Sequence, residues 1–234
     1  GKTFTAAQMI CALVKAGKKV GVTANSHKVI RNLLDKVVEQ ADLAGLSIQC
    51  LQKVAEKTAD ASSIRFETDN EKALAAIGAS CQVLAGTAWL WSRPDAFEIV
   101  DALFVDEAAQ MSLANVLAVS QAARALVLLG DPQQLEQPIQ GSHPEGTDVS
   151  ALEHLLDGAA TIGKGQGVFL EQTWRLHPDI CSFTSELFYE GRLACRVGLG
   201  QQEVKSQGRI RGTGLRYLPV VHEGNQKAAP EEAE

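Results

Sequence analysis

Apolar positions recur along this chain with two different periods, and the switches between them outline its elements. The segment after Gly1 has helical spacing through about Ala16, where Gly17 stops it. "KKVGVTA" is short, apolar and β-branched, and predicts a buried strand. From Ser26 a second helix follows, with Val29, Ile30, Leu33, Leu34, Val37, Val38 and Ala41 forming one stripe and Ser26 placed to cap it. Residues 45–69 carry only weak periodicity. "EKALAAIGA" predicts a helix, and "CQVLAGTA" a strand running into a turn. "DALFVDEAA" predicts a strand ending in two acids, "SLANVLAVSQAA" a helix, and "RALVLLGDP" an apolar strand broken by a turn. "GSHPEG" reads as a loop and "VFLEQTWRLHP" as a strand and turn. "PDICSFTSELFY" opens with Pro at the first helical position, and "GLRYLPVV" predicts one more strand.

Apolar strands alternating with helices predict an α/β fold with a mostly parallel sheet covered on both faces. Ligands in such sheets sit at the carboxyl ends of the strands, and each polar motif of this chain falls just after a predicted strand. At 234 residues and 45% apolar content the chain can bury a substantial core. No apolar run approaches the roughly 18–20 residues of a membrane span, and the start lacks a signal-peptide pattern. Five scattered cysteines without a C-x-x-C pair (Cys11, Cys50, Cys81, Cys181 and Cys195) argue against a zinc site or a disulfide framework. They suit reduced thiols filling a core, and a cytoplasmic protein is expected.

A net charge of −6 gives no global attraction to nucleic acid, but the first 38 residues hold seven basic residues and one acid. That segment is either a local phosphate-binding face or a solvated helix face.

Three stretches carry candidate chemistry. "LFVDEAAQ" delivers Asp106 and Glu107 together at a strand end. In a nucleotide hydrolase the first would hold Mg²⁺ and the second would take a proton from the attacking water; two acids in an ordinary strand-end turn are the alternative. "LVLLGDPQQL" projects Gln133 and Gln134 towards the same edge, where a neutral amide can bond a γ-phosphate or water. "LEQTWRLHP" brings Trp174 and Arg175 to a helix start. The arginine would be an arginine finger or part of a structural ion pair, and the tryptophan a platform for adenine or a core residue. Trp89 and Trp91 are expected to be buried beside the sheet, with base stacking as the alternative.

Read together, these stretches resemble superfamily 1 helicases. Gly1-Lys2-Thr3 resembles the end of the Walker A loop, "VTANSH" motif Ia, "AGTA" motif Ic and "VDEAAQ" motif II. "GDPQQL" resembles motif III and "TWRLHP" motif IV. Their order and spacing are similar to the Upf-like 1B branch. Within it, "GVTANSHKVIRNLL", "AGTAWLW", "DEAAQMSLAN" and "GSHPEG" resemble the helicase part of bacterial proteins that fuse a RecB-like nuclease to a helicase. Glu136 departs from the pattern, since relatives often have proline directly after "QQL".

The resemblance implies a P-loop NTPase fold: a first RecA-like domain over residues 1–165, and the start of a second over 166–234. It implies ATP and Mg²⁺, with Gly1, Lys2 and Thr3 at the phosphates, Thr3 and Asp106 on the metal, and Trp174 on adenine. Glu107 would activate water, Gln134 would sense the γ-phosphate, and Arg175 would contact it from a second side. Ser26, His27 and Thr87 would contact the backbone of single-stranded nucleic acid, DNA being favoured over RNA. The first part of the Walker A loop and the motifs that follow motif IV are not among these residues. The chain is therefore expected to be an internal piece of a longer protein, inactive alone, with a nuclease domain upstream.

Overall fold

The computed structural model describes residues 1–56, 63–134, 149–208, 210–215 and 217. The "GSHPEG" loop, Glu136 and most of the "GLRYLPVV" strand lie outside them. The chain divides into two compact units, residues 1–169 and 170–234.

The first unit is built on a six-stranded sheet. Its elements in chain order are α1 (Lys2–Lys15), β1 (Val20–Thr23), α2 (His27–Leu43), β2 (Cys50–Lys53), β3 (Arg65–Glu67), α3 (Asn70–Ala76), β4 (Val83–Ala85), α4 (Ala88–Trp91), β5 (Val100–Val105), α5 (Leu113–Ser120), β6 (Ala123–Leu128) and α6 (Ala151–Leu156). The strand order is β3-β2-β4-β1-β5-β6, and every pairing is parallel. Parallel strands need crossover connections that cover the sheet, and β1, β4 and β5 are largely buried on both faces, whereas much of the edge strand β6 is exposed. Successive side chains on each strand point to opposite faces, which divides the core in two. Val83, Ala85, Ala102 and Phe104 pack with α1 and α2, while Leu84 and Leu103 pack with α3, α4 and α5.

Local chemistry accounts for the element limits. Helix α1 ends where Gly17 takes φ +76°, a conformation costly for any residue with a Cβ. In α2 the Ser26 hydroxyl oxygen accepts from Val29 N–H at 3.2 Å, and Ile30, Leu33, Leu34, Val37 and Ala41 are buried as the stripe predicts. Helix α3 stops at Ala76, short of the expected end, because Ile77 is extended and bridges Cys81 through a turn with Gly78 at φ +79°. Helix α5 also ends early, at Ser120, and Ala123 already belongs to β6. The weakly periodic region 45–69 contains β2 and β3. Strands of four and three residues are too short to display a period.

Trp91 is fully buried, and its indole N–H donates to Val22 O at 3.2 Å and Gly86 O at 3.1 Å. Gly21 leaves room for that ring, since a Cβ there would stand 2.9 Å from Trp91 Cη2 and 2.8 Å from Leu103 Cδ1. Trp89 contradicts the expectation of burial: it is 86% exposed. Helical residues two apart point about 200° away from each other, so with Trp91 facing the core Trp89 must face out.

In the second unit β7 (Gln172–Thr173) and β8 (Ala194–Cys195) pair in parallel, joined through α7 (Pro178–Phe188). Pro178 begins α7, and His177 caps it by accepting from Asp179 N–H at 3.2 Å through Nδ1. The predicted strand of "VFLEQTWRLHP" is thus confined to two residues.

Candidate functional site

The carboxyl edge of the sheet gathers most of the singled-out residues of the first unit. Strands β1 and β5 run in register, Thr23 opposite Val105, so the segments that follow them emerge side by side. Asp106 N–H donates to Thr23 O at 2.9 Å, and one residue later the chain turns sharply, with Glu107 at φ 52°, ψ 45°. A left-handed conformation at a residue with a Cβ costs on the order of 1–3 kcal/mol and persists only where the surroundings enforce it. Here Ala108 N–H donates to Leu129 O at 2.8 Å, and Ala108 and Ala109 are buried. The turn presents Glu107 to Lys2, on the first turn of α1: Lys2 Nζ lies 3.5 Å from Glu107 Oε2.

Both side chains are about a quarter exposed, yet these two terminal atoms are buried and have no hydrogen-bond partner. Their stems meet solvent while their charged ends face inward. Thr23 Oγ1, also buried, is in the same position. Three unsatisfied polar atoms at the ends of adjoining elements are uncommon in a folded interior. A phosphate oxygen is the type of group that would satisfy Lys2, and a water that would satisfy Glu107.

Asp106 is 4% exposed, and Oδ1 accepts from Glu107 N–H at 3.0 Å. Burial pushes its carboxyl above the ordinary carboxylate value. The hydrogen bond opposes that rise, the neighbouring Glu107 charge adds to it, and Lys2 weakens it. A buried carboxylate so disfavoured is suited to a divalent cation. No cluster of three or more His, Cys, Asp or Glu side chains able to hold a metal occurs among the described residues. An ion at Asp106 would draw other ligands from a hydroxyl such as that of Thr3, from phosphate and from water, as Mg²⁺ commonly does. Gly1 is exposed and Thr3 half-buried beside Lys2.

The turn after β6 lies against the same structure. A Cβ on Gly130 would meet Ala109 N at 2.9 Å and Ala108 N at 3.3 Å, so glycine allows this close approach. Asp131 then holds the exposed glutamines: Oδ1 accepts from Gln133 N–H at 3.1 Å and Oδ2 from Gln134 Nε2 at 3.3 Å.

On the other side of β1, Val22 pairs with Ala85, and Gly86 N–H donates to Val22 O at 3.0 Å. This register places the Ser26–His27 segment and Thr87 at neighbouring strand ends. The Ser26 hydroxyl is used in capping, His27 is exposed with its carbonyl accepting from Gln52 Nε2 at 3.1 Å, and the Thr87 side chain makes no cap bond. Asn25 joins the two regions, its side-chain amide donating to Gln110 O.

The basic excess of the first 38 residues is partly offset, four of the seven basic residues being in ion pairs. Lys18 pairs with Asp101, Arg31 with Asp35, Lys36 with Glu39 and Lys2 with Glu107. Trp174 and Arg175 belong to the second unit. Arg175 is exposed, its N–H donating to Thr173 Oγ1 at 3.3 Å. Trp174 is 55% exposed and carries the Arg196 guanidinium 3.8 Å from its ring centre.

Sequence reasoning passed over Thr23, Asn25 and Asp131. The available signals were a polar residue closing the apolar β1, and an acid in the Gly-Asp-Pro turn.

The chain is similar to helicases. It is 28% identical over 215 residues, 91% of its length, to "Probable helicase MAGATAMA 3" of Arabidopsis thaliana. It is 28% identical over 207 residues, 83% of its length, to the "DNA replication ATP-dependent helicase/nuclease DNA2" of Gallus gallus. A shorter match, 32% over 119 residues and half of this chain, is to the "5'-3' DNA helicase ZGRF1" of Mus musculus. The chain spans only 24%, 20% and 6% of these proteins. No family model matches it. Among solved structures, an arterivirus nonstructural protein 10 helicase in complex with DNA aligns with a TM-score of 0.52 at 15% identity, over 84% of this chain and 39% of that one. At that identity the likeness is one of fold: an α/β, RecA-like P-loop architecture. No helix among the described residues is long and apolar enough to cross a membrane.

Proposed function

We propose that this chain forms part of the ATP-hydrolysing motor of a superfamily 1B DNA helicase, coupling hydrolysis to movement on single-stranded DNA. The observation that carries the reading is the inward-facing pair of Lys2 Nζ and Glu107 Oε2, both without hydrogen-bond partners, beside the buried Asp106. Residues 1–165 would be the first RecA-like domain and 166–234 the start of a second, an assignment supported by the two compact units.

In this scheme Gly1, Lys2 and Thr3 meet the phosphates. Lys2 leaves Glu107 to do so, and the freed carboxylate takes a proton from water. Asp106 and Thr3 hold Mg²⁺, which supplies neutralisation of phosphate charge when bound. Gln134 reads the γ-phosphate from the turn held by Asp131, Arg175 stabilises charge on it, and Trp174 takes adenine. Ser26, His27 and Thr87 track the strand backbone, where phosphate contacts position without specifying sequence.

DNA as substrate and 5′ to 3′ movement are supported by the DNA helicases among the relatives, and a nuclease partner by the helicase/nuclease among them. A cytoplasmic setting is part of the proposal and is supported by the five free cysteines, four of them buried. Titration with a fluorescent ATP analogue tests the nucleotide site. Lys2→Ala should lose binding while Glu107→Gln keeps it, and undiminished binding by Lys2→Ala would refute the assignment.

A second reading, nucleotide and nucleic-acid binding without turnover, is favoured by the direct Lys2–Glu107 pairing, which engages the would-be base. Nucleotide binding by the parent protein with no hydrolysis on any single strand would select it.

A further inference from the structure

We infer that Trp89 is a base-stacking platform for single-stranded DNA lying across the ends of β1 and β4; this rests on the strand-binding role proposed for Ser26, His27 and Thr87. Trp89 is 86% exposed, against 0% for Trp91 and 55% for Trp174. Single exposed aliphatic residues are ordinary on protein surfaces. A tryptophan is on average among the more buried residues, and three further features separate this one from background.

The first is position. Trp89 lies two residues after Thr87, on the β4 side of the register that brings the Ser26–His27 segment and Thr87 to neighbouring strand ends. A strand whose phosphates met those residues would turn its bases outward past this indole.

The second is rigidity. Leu90 and Trp91, the residues next in chain, are buried, and the Trp91 indole N–H bridges Val22 O and Gly86 O, tying α4 to both strand ends. Gly86 sits so close beneath Leu90 that a Cβ there would stand 2.6 Å from Leu90 Cδ2. The exposed ring is therefore carried on a backbone fastened to the sheet.

The third is an open face. The Trp174 ring lies under Arg196, whereas among the described residues no cation covers that of Trp89. An exposed π-face stacks on any base, which suits binding without sequence preference.

The test is equilibrium binding of the chain to fluorescein-labelled oligo-deoxythymidylate and to an abasic oligonucleotide of the same length, measured by anisotropy. Trp89→Ala should weaken binding to the thymidylate strand by about 5- to 150-fold, the range for one stacked base. Trp89→Phe should recover most of that loss. Parent and Trp89→Ala should bind the abasic strand equally. Far-UV circular dichroism should melt at the same temperature for parent and Trp89→Ala, since the ring is outside the core. Unchanged affinity of Trp89→Ala for thymidylate, or an equal loss on the abasic strand, would overturn the stacking role while leaving strand binding intact. Absence of binding by the parent itself would overturn the strand-binding reading and the platform with it.

Discussion

Replacing Gly130 with alanine isolates the packing that holds the Asp106–Glu107 turn. Gly130 does not need a left-handed backbone, so in the folded state the substitution acts only through the space its Cβ takes. The new Cβ would stand 2.3 Å from Leu152 Cδ1, 2.9 Å from Ala109 N and 3.3 Å from Ala108 N. Leu152 is a flexible side chain at the margin of its cluster and can rotate away. The two amides are backbone of the turn that sets Glu107 at φ 52°, and they move only if the turn moves. Overpacking of this kind costs about 1–3 kcal/mol. Reduced freedom of the unfolded chain returns roughly 0.4–1 kcal/mol. The net loss, centred near about 1.3 kcal/mol and at most about 2.6 kcal/mol, corresponds to a fall in melting temperature of roughly 3–5 °C, and of no more than roughly 10 °C, at this chain size.

A double-mutant comparison separates the two clashes. If the amides dominate, Gly130→Ala with Leu152→Ala melts below Leu152→Ala alone by the same interval as Gly130→Ala below the parent. Thermal melts by circular dichroism give the answer. A Gly130→Ala melting point above the parent's would contradict the clash with the turn, and full rescue in the Leu152→Ala background would assign the effect to the side chain.

Two further predictions concern buried titrating groups. Burial raises the Asp106 carboxyl pKa in the folded state, so the charged form costs stability at neutral pH. That cost is absent below the unfolded carboxylate value and grows as pH rises through the folded one. Asp106→Asn, which keeps an oxygen for Glu107 N–H, should therefore melt higher than the parent at pH 7, with the gap closing towards pH 4; equal melting points at pH 7 would count against it. The Cys50 thiol is pushed up to about 12, chiefly by burial, and Cys50 is 1% exposed, whereas Cys195 is half-buried. In the native chain at pH 8, iodoacetamide followed by peptide mass spectrometry should label Cys195 well before Cys50, and the reverse order would contradict the packing described.

Much of this architecture is legible in residue pattern, for reasons that differ between elements. The α2 stripe and its Ser26 cap are local, so the sequence carries them complete. The carboxyl ends of β1, β5 and β6 were visible because their apolar runs stop at Asn25, Asp106 and the Gly130-Asp131 turn. The left-handed turn at Glu107 was not visible, since glutamate gives no signal for positive φ and the enforcing contacts come from Leu129 and Gly130, beyond the next helix. Strands β2 and β3 are too short to display alternation. The opposite fates of Trp89 and Trp91 follow from helix geometry, but only once "AWLW" is known to be helical. Pairing of Lys2 with Glu107 depends on the order of strands in the sheet, which no local pattern encodes.

In the proposed scheme Glu107 serves the hydrolytic step and Lys2 the nucleotide. That division of roles is tested most directly by steady-state ATP hydrolysis, with and without single-stranded DNA, in the protein carrying this chain and in its Glu107→Gln variant. DNA-stimulated turnover is expected in the parent and its loss in Glu107→Gln, with ATP binding retained. Full stimulated turnover in Glu107→Gln would contradict it.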